Sequence, residues 1–202
     1  MDLESSSAKL RRLSIRFTRP GDVPDLHRIF QESFKMPLYT QAFFARDWTN
    51  SKVNKRYRTI GCFADENLVG IVHIVMDAFS KVEREEEKEL AKEAGFQLSY
   101  IHTLAVDRRY HCQGIGSKLM QATITFLSIQ EEPPKLVYLH VHRQNRGGQT
   151  LYKKFGFTER SLIPRLYPKQ YAVNRDRAGH IYIRKLDQPE VLLSFEEFEF
   201  QD

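Results

Sequence analysis

The stretch SYIHTLAVDRRYHCQGIG, residues 99–116, contains two structural patterns in succession, and the fold has to accommodate both. From Ser99 to Val106 the residues alternate with the period of a strand, which puts Tyr100, His102 and Leu104 on one face and Ile101, Thr103 and Ala105 on the other. Asp107 to Tyr110 breaks that alternation. Gln113-Gly114-Ile115-Gly116 then opens SKLMQATITFL, where Leu119, Met120, Thr123, Phe126 and Leu127 recur at helical spacing. A strand therefore runs into a helix through a loop with two glycines two residues apart. Such a loop exposes backbone N–H groups at a helix N-terminus, and the missing Cβ atoms let a phosphate group approach the main chain. By itself the same pattern also describes a tight turn before an ordinary amphipathic helix.

The neighbouring sequence repeats this order. Leu136 to His142 reads as a second strand and Asn145 to Phe155 as the helix after it. Upstream, LSIRF at 13–17 alternates as a first strand. Asp22 is placed to cap a helix over 23–34 whose stripe is Val23, Leu26, Phe30 and Phe34, and a short helix fits 41–48. RTIGCFA at 58–64 and LVGIVHIVM at 68–76 flank Asp65-Glu66-Asn67 as a hairpin. KVEREEEKELAKEAG at 81–95 reads as a solvated helix ending at Gly95, inserted between strands, its opposite charges three or four residues apart. Residues 158–163 and 180–186 read as a closing hairpin around a basic loop, and the tail PEVLLSFEEFEF fits strand and helix equally.

The glycine loop, standing here as His111-Cys112-Gln113-Gly114-Ile115-Gly116, resembles the acetyl-coenzyme A loop of the GNAT N-acetyltransferases, Gln/Arg-x-x-Gly-x-Gly/Ala, with His111 departing at the first position. YLHV at 138–141, Asn145, Tyr152 and KKFGF at 153–157 follow in that family's order. Within the family, Met36-Pro37-Leu38, Tyr100-Ile101-His102, His140 and Tyr167 make the chain most similar to the protein N-terminal acetyltransferases acting on Met followed by a large or apolar residue, the NatE/NatF type. The resemblance implies an α/β (α+β) fold: one GNAT-type domain with a mixed sheet of about seven strands, a splayed parallel pair and flanking helices. It assigns 1–12 to a basic arm, 13–186 to the domain with a charged helical insertion about 80–96, and 187–202 to a tail.

The resemblance also implies roles. Tyr100 and His140 assist deprotonation of the amine. Leu104, Ala105 and Val106 supply backbone N–H groups to the thioester, and His111, Cys112, Gln113, Gly114, Ile115, Gly116 and Ser117 hold the pyrophosphate. Asn145 contacts the cofactor and Tyr152 its sulfur. Met36, Pro37, Leu38, His102 and Tyr167 line the peptide site, with Leu166 where the family tends to have a second tyrosine. Acetyl-CoA is the implied cosubstrate and no metal is required. An α-amine, with pKa about 7.7–8.0, is also far easier to deprotonate at neutral pH than a lysine near ~10.4.

The remaining features narrow the class. A length of 202 residues suits one domain, large enough to bury about 70% of its unfolded surface. The net charge of +5 is modest, and Lys9, Arg11, Arg12, Arg16 and Arg19 carry much of it at the front. Such an arm suits a solvated end, or contact with a ribosome or auxiliary subunit, and no aromatic-and-basic motif marks specific nucleic-acid binding. Two isolated cysteines, Cys62 and Cys112, point to a reducing compartment. The opening residues lack a secretory signal's apolar core, and no apolar run reaches the roughly 18 residues of a membrane span, so a cytoplasmic protein is expected. The competing expectations are a GNAT acting on lysine side chains or small amines, which a groove without acidic lining suits less well, and a catalytically idle acetyl-CoA-binding partner subunit. A metal site built on His102, Cys112, His140 and His142 lacks ligand spacing.

Overall fold

The computed structural model describes residues 13–34, 40–49, 55–169, 173, 175–186 and 198–199. The strands are β1 Leu13–Phe17, β2 Tyr57–Ala64, β3 Asn67–Val75, β4 Leu98–Val106, β5 Leu136–His142, β6 Thr158–Ile163, β7 Gly179–Lys185 and β8 Phe198–Glu199. The helices are α1 Val23–Phe34, α2 Gln41–Asp47, α3 Glu85–Glu93, α4 Ile115–Ser128 and α5 Arg146–Lys154. The strands form one mixed sheet in the order β6-β7-β5-β4-β3-β2-β1-β8. The seven strands expected from the sequence are β1 to β7, and two residues of the tail extend the edge as β8, parallel to β1.

Three apolar clusters hold the layers together. α4 contributes Ile115, Leu119, Met120 and Leu127 to a cluster with Val72, Ile74, Val137 and Leu139 of the sheet. α1 and α2 bring Leu26, Ile29, Phe30 and Phe44 against Phe63, Leu68 and Ile71. The third cluster joins Leu90, Ala91 and Ala94 of the α3 segment to Leu98, Leu136, Tyr138 and Ile181. The helix expected to be solvated therefore covers part of the sheet, and Glu87, Leu90 and Ala91 are all buried. Their spacing of three and four residues puts them on one face, which the surrounding charges obscure in the sequence.

The β2–β3 turn needs two residues with positive φ, and Asp65 (48°) and Glu66 (70°) provide them, which matches the right-handed twist of the flanking strands. Asp22 does not cap α1. It ends a 3-10 turn, and its carboxylate accepts from the Arg19 N–H at 2.7 Å and from the Arg16 guanidinium at 2.8 and 3.0 Å. α2 is capped by Thr40, whose side chain accepts from the Phe43 N–H. The basic segment between β6 and β7 returns the chain so that β7, not β6, lies beside β5.

Two features of β4 shape the centre of the molecule. It pairs in parallel with β5 only from Leu98↔Leu136 to Ile101↔Leu139, after which the strands part. The pairing with β3 steps from Ile74↔Ile101 to His73↔Thr103, so His102 is an extra residue, a β-bulge. The bulge overturns the simple alternation read from 99–106. Tyr100 and His102 do line the same cavity, but Leu104 joins Ile101 and Val106 on the α4 side, and Ala105 faces α1 and α2.

Candidate active site

Where β4 and β5 part, the pleat carries Tyr100 from one strand and His140 from the other towards a cavity of about 620 Å³. The Tyr100 Oη lies 3.2 Å from His140 Nδ1, and the Tyr100 ring stacks on Tyr138 at 4.6 Å. Burial pushes the Tyr100 phenol well above its usual range, with Tyr138, Tyr167, Glu87 and Tyr152 adding to the effect. That direction is opposite to the lowering a free phenolate base would need. Tyr100 therefore keeps its proton at neutral pH.

The cavity wall has two characters. One side is aromatic: Phe43, Trp48, Tyr57, His73 and His102. Trp48, the only tryptophan, lies flat on His73 at 3.8 Å and 4°. His73 Nδ1 is 2.9 Å from Thr59 Oγ1, and that hydroxyl already donates its hydrogen to the Trp48 carbonyl, so Nδ1 must be the donor. Burial, with a smaller contribution from His102, holds the His73 pKa well below its usual value and keeps the ring neutral.

The other side is acidic, contrary to the sequence expectation, and its charge comes from Glu83 and Glu87 around Arg84. Glu87 Oε2 accepts from the backbone N–H groups of Glu83 and Arg84 at 3.1 and 3.3 Å, and Oε1 lies 3.1 Å from His140 Nε2. Burial pushes the Glu87 carboxyl up, but His140 and the two N–H groups together outweigh it and hold the group below its usual value.

On the far side of the splay lies the glycine loop. Asp107, almost fully buried, anchors its approach by accepting from the Arg109 N–H at 2.9 Å and from the side chains of Arg109 (2.6 Å) and Arg28 (2.7 Å). Arg109, the burial that opposes it, and Arg28 together leave the Asp107 carboxyl well below the usual range. The His111 side chain turns back, its Nε2 2.8 Å from the Val106 carbonyl. Cys112 takes a positive φ of 59°, and Gly114 follows at 81° as the N-cap of α4. No side chain caps α4, so the N–H groups of its first turn are open to an anion, whereas Asn145 closes α5 by accepting from the Gly148 N–H at 2.9 Å. Gly116 sits close under Leu151, where a Cβ would meet the leucine at 3.3 Å.

A match to the acetyltransferase (GNAT) family spans residues 23–157, from α1 through the splay and the glycine loop to the end of α5. The chain belongs to the GNAT acetyltransferases. Among individual relatives, this GNAT chain is 25% identical over 170 residues to N-alpha-acetyltransferase 60 of Xenopus tropicalis, covering 83% of this chain and 68% of that one. It is 24% identical over 158 residues to N-alpha-acetyltransferase 30 of Homo sapiens, covering 76% of this chain and 37% of the human protein. The crystal structure of Arabidopsis thaliana NAA60 with a bisubstrate analogue superposes with a TM-score of 0.66 at 23% identity, covering 87% of this chain and 99% of that one. These structural likenesses concern the fold.

Of the residues chosen from sequence, three share one cavity. Tyr100, His102 and His140 line the cavity. Tyr152 is buried, which pushes its phenol up to about 12. Tyr167 faces His142 at 5.3 Å, its N–H donating to the Arg177 carbonyl, and burial also raises its pKa. Leu166, rather than Tyr167, lines the cavity itself. Met36, Pro37 and Leu38 lie outside the described residues. Cys62 is a buried free thiol, pushed up to about 11 by burial, and Cys112 is free and exposed. Sequence reasoning missed Trp48, Tyr57, His73, Glu83 and Glu87. Only Glu87 carried a signal, its spacing to Leu90, Ala91 and Ala94. Among the described residues no helix is long and apolar enough to cross a membrane.

Proposed function

We propose that the protein is an acetyl-CoA-dependent N-α-acetyltransferase, acting on free N-termini that begin with Met followed by a large or apolar residue. The observation that carries the reading is the Tyr100–His140 contact of 3.2 Å at the mouth of the β4–β5 splay, where one cavity opens beside a strand edge left without a partner. The N-alpha-acetyltransferases 60 and 30 among its relatives support the same reaction. The uncapped N-terminus of α4 and its glycine loop fit a pyrophosphate. Acetyl-CoA supplies an acetyl group activated as a thioester.

In this mechanism the residues of the chain manage protons and charge. The neutral Tyr100 hydroxyl donates to His140 Nδ1 and presents its oxygen to the incoming amine. As the amine nitrogen bonds to the acetyl carbon, its proton passes to Tyr100 while the Tyr100 proton passes to His140. The carbon–sulfur bond breaks with the electron pair going to sulfur, and Tyr152, kept protonated by its burial, is the donor for that sulfur. Backbone N–H groups of 104–106 stabilise charge on the carbonyl oxygen. His102 and the aromatic wall meet the first side chains of the peptide, and the exposed His102 ring admits polar residues beside apolar ones.

A second reading, transfer to a side-chain amine, is favoured by Glu83 on the cavity wall, a negative group suited to a cationic lysine. A peptide panel separates the two. Labelled acetyl-CoA is offered to peptides varying the second residue after Met, with free or blocked N-termini and an internal lysine, using wild type and His140→Ala. Transfer to free N-termini alone, falling about 100-fold or more in the variant, is the expected result. Transfer to the blocked peptides would move the assignment to side chains, and cofactor binding without transfer to any peptide would make the chain an idle binding subunit.

A further inference from the structure

The helix α3, an insertion between β3 and β4, contributes a carboxylate that the mechanism above leaves without a task. Glu87 is buried, with 6% of its surface exposed, and sits on α3 three residues before Leu90, so the packing of that helix on the sheet fixes its position. Its Oε2 is tied to the backbone of Glu83 and Arg84, and its Oε1 is left facing His140 Nε2 at 3.1 Å. That nitrogen is buried and makes no hydrogen bond of good geometry among the described residues, so Glu87 is the charge it has beside it. Arg84 also ties α3 to the opposite wall by donating to the Leu166 carbonyl at 3.1 Å.

We infer that Glu87 is a positioning residue for the acetyl transfer: it holds His140 with its proton on Nε2, leaves Nδ1 free to accept from Tyr100, and stabilises the imidazolium formed when the proton arrives. The inference rests on the proposed Tyr100–His140 relay and extends it to a residue outside the two splayed strands. A buried carboxylate beside one ring nitrogen selects the tautomer that donates towards it, and it favours the charged ring. The balance is simple. One proton leaves the amine, one moves from Tyr100 to His140, and Glu87 stays ionised throughout. The other groups near His140 are Tyr100 from β4, Tyr138 on its own strand, Glu83 and Arg84 on the α3 side, and His102 across the cavity. Among the described residues none of these hydrogen-bonds Nε2.

The test compares wild type, Glu87→Gln, Glu87→Asp, His140→Ala and the His140→Ala/Glu87→Gln double variant. Each is assayed with acetyl-CoA and a free Met-Leu peptide from pH 6 to 9. In Glu87→Gln, kcat is expected to fall about 10-fold or more with the KM for acetyl-CoA unchanged. Glu87→Asp should recover part of the rate, and adding Glu87→Gln to His140→Ala should cost nothing further. An equal loss in the His140→Ala background, or no recovery in Glu87→Asp, would overturn the inference while leaving the relay standing. A wild-type rate in His140→Ala would overturn the relay and the inference together. If Glu87→Gln does not fold, nitrogen NMR of wild type decides the point: a neutral His140 protonated on Nε2 is expected, and protonation on Nδ1 overturns the role given to Glu87.

Discussion

His73 shows how one buried side chain sets a pH limit on the molecule. Its ring is sandwiched between Trp48 and Tyr57 and linked to Thr59, and burial holds its pKa well below the ordinary value. The unfolded chain therefore takes up a proton near pH ~6.5 that the folded chain refuses. The stability contributed by the neutral ring is complete above that pH and is lost progressively as pH falls below it. Thermal unfolding followed from pH 7.5 to 5 should show a midpoint that declines below about 6.5. In His73→Gln the midpoint should be lower at pH 7.5 and nearly flat over the same range, and an identical slope in the two proteins would reject the assignment. None of this was legible in LVGIVHIVM. A histidine in an apolar strand can face either side, and only the return of Trp48 across the strand buries this one.

At the scale of elements, the glycine loop and α4 are where sequence reading succeeded most directly. Gly114 caps α4 at a φ of 81°, a conformation that costs other residues roughly 1–2 kcal/mol. A Cβ at this position would meet nothing within 4 Å, so Gly114→Ala tests conformation without a clash. The expected outcome is a loss of about 1 kcal/mol in stability and a several-fold rise in the KM for acetyl-CoA, with kcat little changed. Unchanged KM in isothermal or steady-state measurements would show that the loop does not hold the cofactor. α3 was read only in part. Its C-terminal end and its charges follow from KVEREEEKELAKEAG, but it starts only at Glu85, and its buried face consists of one glutamate, one leucine and two alanines, a stripe too weak to outweigh the charges around it. Its role as a wall of the cavity depends on where the β3 and β4 ends set it down.

For the molecule as a whole, the splay is an opening in an otherwise continuous sheet, and a ligand seated there is in contact with both halves. The β4 side carries α4 and the glycine loop, and the β5 side carries α5 and Tyr152. Acetyl-CoA bound only by the folded state should raise stability by about 2.7 kcal/mol at 100 times its dissociation constant. For a chain of this size that corresponds to a midpoint shift of roughly 5–10 °C. A thermal-shift titration with acetyl-CoA, and with desulfo-CoA or ATP as controls, checks the expectation, and no shift at saturating cofactor would argue against the fit of the loop.

The chain by itself determined β1 to β7, its five described helices and the family to which they belong, because each of these is written in spacings of two to four residues or in a compact motif such as 111–116, whereas the tail that forms β8 fitted strand and helix equally. The family resemblance carried by those motifs picked out Tyr100, His140 and the glycine loop. Tertiary structure alone decided three other things: the bulge at His102 that redirects Leu104 and Ala105, the burial of His73 under Trp48, and the placement of Glu87 beside His140. Each joins residues from different elements or counts a strand against its partner. Their relation is set by how the layers pack and where two strands part, which no periodicity within a single segment records.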